Sequence, residues 1–216
     1  MIAIVPIRSG SKGIINKNIQ LLNGHPLVWW VLNSIEKSKV EKVIVATDFP
    51  YLDLIKRFNF SKLELYLRDP KNSRDTSSTE DVLIEVINKL NIVDDIILVQ
   101  ATSPLTSFED INRGLELYTN YDSVLSVVRQ KRFIWNENGT PFNYDFRNRP
   151  RRQEFDGYYV ENGAFYINHS ENILLNKNRL SGNIGLYEMS EQTYYEIDSQ
   201  EDWGIIESIM RNKMKK

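Results

Sequence analysis

The stretch "IAIVPIRSGSKG" (2–13) joins a short apolar run to a loop of small and basic residues. The run is rich in β-branched residues and apolar on both faces, which is typical of a strand buried in a parallel sheet. Similar runs recur along the chain. The predicted strands are 2–7, 42–47, 63–67, 95–100 and 123–128.

Segments of helical period separate these strands. In 79–90, Val82, Val86 and Leu90 form one apolar stripe, and Ser78 precedes it as a cap. Similar start signals precede helices at 108–118 and from about 200. The alternation of strand and helix predicts an α/β fold with a doubly wound, mostly parallel sheet. Ligands are then expected at the carboxyl ends of the strands.

The pattern breaks between 129 and 160, where turn signals, aromatic residues and basic residues replace helical period. We interpret "RFIW" (132–135) and "FNYDF" (142–146) as a β-hairpin that leaves the core, which resumes at 161–167. The whole chain, 1–216, is expected to form one domain that contains this excursion.

The amino-acid composition excludes several kinds of site and several classes of protein. The 216 residues include no cysteine and two histidines, so disulfides and thiolate metal sites are excluded and a metal would need oxygen ligands. A net charge of −2 argues against a general nucleic-acid binder. The longest apolar stretch, 26–32, is too short to cross a bilayer, and no basic leader precedes the first strand. We therefore expect a cytoplasmic protein that binds neither nucleic acid nor membranes.

The loop "RSGSKG" (8–13) has the residue types of a phosphate site. Its glycines allow close approach of the backbone, and Arg8 and Lys12 supply cationic donors. The spacing matches neither the dinucleotide fingerprint nor the P-loop. Residue types alone leave open a solvated basic loop whose glycines serve turns.

This loop resembles part of the signature of the CMP-sialic acid synthetases, the N-acylneuraminate cytidylyltransferases, including CMP-Kdn synthetases. The resemblance continues in four further motifs: "LRDPKNSRDTSST" (67–79), "QATSPL" (100–105), "RPRRQEFDGYYVENGAFYI" (149–167) and "EIDSQEDW" (196–203). The motifs follow the family's order over nearly the whole chain. The resemblance implies a Rossmann-like fold and a homodimer, possibly of dimers, built through the 129–160 excursion. It also implies transfer of CMP from CTP to the anomeric hydroxyl of a nonulosonic acid, with release of pyrophosphate.

The resemblance also implies roles for single residues. Arg8, Lys12 and Asp198 are expected to be catalytic. The residues expected to bind the nucleotide are Ile7, Arg8, Lys12, Lys17, Asn18, Arg68, Ser78 and Thr79. Helix capping explains Ser78 and Thr79 equally well.

The residues expected to bind the sugar acid are Gln100, Thr102, Arg151, Gln153, Asn162 and Tyr166, with Arg151 reaching in from the partner subunit. Gln100 and Thr102 could instead satisfy backbone groups of their own turn. Synthetases for the eight-carbon acid Kdo carry an aspartate in this turn, so the "ATS" here favours nine-carbon acids.

Glu196 and Asp198 flank Ile197, so an extended segment places both carboxylates on one side, an arrangement that suits Mg²⁺. Glu196 departs from the family's aspartate, which puts its part as a metal ligand in doubt. Two other functions remain open: a nucleotide-sugar-dependent glycosyltransferase, and a non-catalytic carbohydrate- or nucleotide-binding protein. The identity of the sugar acid, the general base and the number of metal ions are not specified by the sequence.

Overall fold

The computed structural model describes residues 1–10, 13–74 and 77–214. A seven-stranded mixed sheet forms its centre, and a two-stranded antiparallel sheet lies beside it. The strands are β1 (Ile2–Pro6), β2 (Leu21–Leu22), β3 (His25–Pro26), β4 (Lys42–Thr47), β5 (Leu63–Leu67), β6 (Asp95–Val99), β7 (Ser123–Gln130), β8 (Tyr158–His169) and β9 (Ile184–Met189). All five predicted strands are present.

Helices cover the sheet. They are α1 (Leu27–Lys37), α2 (Phe49–Ile55), α3 (Thr79–Leu90), α4 (Phe108–Tyr118), α5 (Ser170–Asn176) and α6 (Gln200–Met214), with 3-10 turns at Lys17–Ile19, Pro70–Ser73 and Glu191–Tyr194. The bounds of α3 and α4 agree with the predicted ones. Within the described ranges, none of the helices combines the length and hydrophobicity that crossing a bilayer requires.

The order of strands in the large sheet is β5-β4-β1-β6-β8-β7-β9. The first four are mutually parallel, β8 runs antiparallel to both of its neighbours, and β9 is parallel to β7. Because β8 is reversed, its first residues lie at the same edge of the sheet as the carboxyl ends of β1 and β6. This edge therefore brings together the loop between β1 and β2 (the first loop), the turn after β6 and the start of β8.

Three apolar clusters hold the layers. One joins the sheet to α1 and α4, and a second joins the other face of the sheet to α3. The third is smaller and connects the first loop to α6: it consists of Ile14, Leu22, Leu27, Leu105, Ile197, Ile206 and Met210. Burial of these side chains, at about 25 cal/mol per Å² of apolar surface, positions the segment around 197 against the loop around 14.

The chain between β7 and β8 lies outside the sheet, and the hairpin expected there is reduced to one antiparallel bridge between Trp135 and Pro141. The two runs expected to be strands make no ladder beyond it. Aromatic packing replaces the ladder, with the ring centroids of Phe133 and Tyr144 4.3 Å apart. Because alternating aromatic residues also suit an irregular, side-chain-packed loop, the pattern alone overpredicted strand here.

Candidate nucleotide and sugar-acid site

A cleft of about 300 Å³ opens at the carboxyl edge of β1 and β6. Four segments line it: the first loop, the residue after β5, the start of α3 and the turn after β6, with Asp198 closing one side. Of the residues predicted as sites, the structure brings together Ile7, Arg8, Lys17, Asn18, Arg68, Ser78, Thr79, Gln100, Thr102 and Asp198. Lys12 lies outside the described residues.

The first loop is anchored at both ends. The backbone N–H of Ser9 donates to both carboxylate oxygens of Asp48, at 3.1 and 3.0 Å, and Asn18 Nδ2 donates to the carbonyl of Arg8 at 3.1 Å. Asn18 is therefore bonded to the loop backbone, and Arg8 lines the cleft. Asp48, which directly follows β4, was missed by the sequence analysis, although a carboxylate after a strand is a recognisable signal.

Lys17 connects the first loop to the segment 196–198, which carries Glu196 and Asp198. It is 9% exposed, and its Nζ donates to the carbonyl of Ile197 at 2.5 Å and to Asp198 Oδ1 at 2.9 Å. Gly13 also contacts this segment, since a Cβ built there would lie 2.3 Å from the carbonyl oxygen of Asp198. Only glycine permits this approach, which gives Gly13 a packing role as well as a turn role.

Arg68 follows β5 and is 6% exposed. Its Nη1 donates to the carbonyl of Ile7 at 3.1 Å, its Nη2 donates to the carbonyl of Asn72, and its Nε has no partner among the described residues. Burial lowers the pKa of Arg68, an effect that the charges of Glu85 and Asp48 oppose. A guanidinium has five N–H groups, so Arg68 keeps donors for a ligand in the cleft.

The start of α3 faces the cleft, with Ser78 and Thr79 among the lining residues. Ser78 Oγ accepts from the N–H of Asp81 at 3.0 Å, and Asp81 Oδ2 accepts from the N–H of Ser78 at 2.9 Å. Capping thus accounts for the Ser78 hydroxyl. The positive end of the helix dipole adds to the cationic side chains and favours an anion at this point.

Gln100 and Thr102 lie in the turn after β6. Gln100 Nε2 donates to the carbonyl of Gly163 at 2.6 Å, and the carbonyl of Thr102 accepts from the N–H of Ile197 at 2.8 Å. The Oγ1 of Thr102 is buried and has no partner among the described residues. Unsatisfied polar atoms of this kind are uncommon and are often completed by a ligand or water.

Glu196 and Asp198 lie on either side of Ile197, which is fully buried. Burial raises the pKa of Glu196, and the charge of Asp198 raises it further, whereas Lys17 lowers it. In the described ranges no group of three or more acidic or histidine side chains gathers into a metal site. Two carboxylates remain enough for Mg²⁺ when substrate phosphates supply further ligands.

Four predicted sugar-acid residues do not line the cleft of this chain. Asn162 is 2% exposed and its Nδ2 donates to the carbonyl and the hydroxyl of Thr193, both at 3.1 Å. Tyr166 is 3% exposed and donates to Glu161. Arg151 and Gln153 lie exposed on the excursion.

Two curated fish proteins are similar to most of the chain. N-acylneuraminate cytidylyltransferase B of Danio rerio is 36% identical over 214 residues, which cover 95% of this chain and 50% of that protein. The N-acylneuraminate cytidylyltransferase of Oncorhynchus mykiss is 37% identical over 215 residues, with 95% and 49% covered. The chain spans about half the length of these relatives.

A solved structure and a family model also match. The structure of CMP:2-keto-3-deoxy-manno-octonic acid synthetase complexed with CTP superimposes with a TM-score of 0.72 at 18% identity, over 98% of each chain, which shows a shared fold. The family model described as Cytidylyltransferase matches residues 2–215. This chain belongs to the cytidylyltransferase family.

Proposed function

We propose that this protein transfers CMP from CTP to the anomeric hydroxyl of a nonulosonic acid, an N-acylneuraminate or Kdn, and releases pyrophosphate. The observation that carries the proposal is the cleft itself, which is lined by Arg8, Arg68, the start of α3 and Asp198. The similarity to N-acylneuraminate cytidylyltransferases supports the choice of sugar acid.

On the nucleotide side the protein supplies charge and position. Phosphoryl transfer depends mostly on positioning and on neutralising the phosphates, and this cleft has fixed donors for both. Arg68 is held by two backbone carbonyls, and the α3 N–H groups are held by their helix, so neither has to reorganise when the triphosphate binds. We place Lys12, beside Gly13, with the triphosphate as well.

Asp198 and Glu196 would hold Mg²⁺. Besides burial, the negative charge of Asp198 raises the pKa of Glu196, and a divalent cation would offset the repulsion between the two carboxylates. When bound, the ion supplies further neutralisation of the phosphates. Lys17 holds the segment that carries both carboxylates in place.

On the sugar side, Gln100 and Thr102 would bind the acid. The side-chain carbonyl of Gln100 can accept from a sugar hydroxyl, and the buried Oγ1 of Thr102 has bonding capacity left. This arrangement orients the anomeric hydroxyl towards the α-phosphorus of CTP for in-line attack.

A second copy would complete the site. The excursion exposes large aromatic side chains, with Phe142 66% and Trp135 49% exposed, and carries Arg151 and Gln153. Apolar surface of this kind marks an interaction site. We therefore propose a homodimer in which the planar guanidinium of Arg151 reaches the carboxylate of the partner's sugar acid.

The test is release of pyrophosphate from CTP by the purified protein with N-acetylneuraminate, Kdn, legionaminate and Kdo, each with Mg²⁺. A glycosyltransferase or a binding protein would release none from CTP and a free sugar acid. Lys12→Ala and Asp198→Ala are expected to reduce turnover severely while Tm and circular dichroism stay close to wild type. Near-normal pyrophosphate release by both variants would refute the assignment.

A further inference from the structure

Residues 68–73, which follow β5, form a segment beside the cleft, and Arg68 lines the cleft itself. The segment begins at Arg68 and continues as the 3-10 turn Pro70–Ser73. The guanidinium of Arg68 reaches back from this segment to the carbonyl of Ile7 and forward to that of Asn72. Its direction therefore depends on where Asn72 is held.

Glu85 holds this segment from inside α3. It is 8% exposed, and its Oε1 accepts from the hydroxyl of Tyr66 at 2.9 Å and from the N–H of Asp69 at 2.7 Å. Its Oε2 accepts from Asn72 Nδ2 at 2.5 Å. One buried carboxylate thus fixes three donors on both sides of Arg68, and charge-assisted bonds of this kind are the stronger ones.

Asn72 is the shared element. Its side-chain amide donates to Glu85, and its carbonyl accepts from Arg68. A continuous chain of hydrogen bonds therefore runs from α3 through Asn72 and Arg68 to Ile7, at the start of the first loop.

The charge of Glu85 also supports a link between Glu85 and Arg68. Arg68 is buried, which disfavours its charged form, and Glu85 is the largest influence that favours it. Yet Glu85 does not line the cleft and borders a neighbouring surface groove instead. Its contacts with bound nucleotide would have to be indirect.

We propose that Glu85 is a positioning residue for the nucleotide, which acts through Asn72 to direct the remaining N–H groups of Arg68 into the cleft. This inference rests on the proposed function, since it takes CTP as the ligand of that cleft. A merely structural carboxylate would affect stability without affecting affinity for nucleotide.

Glu85→Gln tests this, because the amide keeps the size of the side chain but presents N–H groups to one of its donors. Glu36→Gln is the matched control: Glu36 also accepts three bonds, from the N–H and hydroxyl of Ser61 and the N–H of Lys62, far from the cleft. Calorimetric titration with CTP and Mg²⁺ gives Kd, and steady-state assays give KM for CTP and for the sugar acid.

We expect Glu85→Gln to raise the Kd and KM for CTP about tenfold, with KM for the sugar acid unchanged, while Glu36→Gln lowers Tm without changing either constant. Asn72→Ala, which removes the same link from the other side, should weaken CTP to a similar degree and serves if Glu85→Gln does not fold. Normal CTP affinity in a folded Glu85→Gln or, failing that, in Asn72→Ala overturns the inference. Failure of the wild-type protein to bind CTP overturns the proposed function, and this inference with it.

Discussion

Gly163→Ala is the sharpest test of the sugar side of the cleft. Gly163 has φ of +67°, and a Cβ built on it would lie 2.7 Å from Glu196 Oε2 and 2.8 Å from Gln100 Nε2. Both atoms must retreat by more than half an ångström to reach ordinary contact. Since a misplacement of about 1 Å can reduce a rate about a hundredfold, we expect turnover to fall by roughly tenfold to a hundredfold.

The change has a separate effect on stability. An L-residue at this φ costs about 1–2 kcal/mol, partly offset by the lower entropy of the unfolded chain, so the net cost from the backbone is about 1 kcal/mol. For a chain of this size that corresponds to a decrease in Tm of about 2–4 °C. Crowding against Gln100 and Glu196 adds little to this cost, because both contacts are to the ends of flexible side chains that can move aside.

Gly24→Ala separates the two effects. Gly24 has φ of +92°, and a Cβ built on it would meet no heavy atom of the described residues within 4 Å, so this variant carries the backbone cost without the crowding. Pyrophosphate release and Tm are measured for both variants. If Gly163→Ala keeps the activity of Gly24→Ala, then Gln100 and Glu196 do not contribute to the reaction as we describe.

Three further predictions concern contacts away from Gly163. Lys17→Met removes the hydrogen bond from a buried ammonium to the carbonyl of Ile197, which is worth about 2 kcal/mol, so Tm should fall by about 4–8 °C. The pairing of Lys17 with the exposed carboxylate of Asp198 adds little. An unchanged Tm in differential scanning calorimetry would contradict this prediction. Burial raises the pKa of Glu80, but the hydrogen bond and charge of Arg179 at 2.6 Å outweigh it and hold this pKa below its usual value. The stability that this pairing provides is present above the pKa of Glu80 in the unfolded chain and is lost as pH falls through its pKa in the folded protein. Arg179→Met should therefore be less stable than wild type by about 2 kcal/mol at pH 7 and should approach wild type in acid. An equal loss of stability at every pH would exclude the pairing. Phe142→Ser should shift the proposed dimer towards monomer in sedimentation experiments, and a dimer of unchanged affinity would place the interface elsewhere.

The strands β1, β4, β6 and β7 were predictable because each is a short apolar run that the sheet buries on both faces. The helices α3 and α4 were predictable from their capping boxes, which are local signals. By contrast, α1 begins after Pro26 without a side-chain cap, and α2 and α5 have seven residues each. β9 was missed because its apolar residues do not follow its burial: Ile184 and Leu186 lie on the exposed face, whereas Gly185 is buried.

Residues that line the cleft were predictable where a motif fixes their place on the backbone, as for Arg8 and Gln100 after strand ends. Contacts between distant segments were not. Asn162 belongs to a matched motif, yet it is buried in a bond with Thr193, which lies outside that motif. Tyr166 instead donates to Glu161 within the same motif. The contacts of Glu85 with Tyr66, Asp69 and Asn72 were likewise not predictable, because its position on α3 suggested only a helical carboxylate.

The bond from Lys17 to Ile197 joins positions 180 residues apart. Contacts of such long sequence separation form late in folding, since much of the intervening chain has to be ordered first. The part of the cleft that carries Arg8 and Arg68 can therefore form before the segment that carries Asp198 packs against it. In refolding experiments, we expect affinity for nucleotide with Mg²⁺ to recover more slowly than helical circular dichroism.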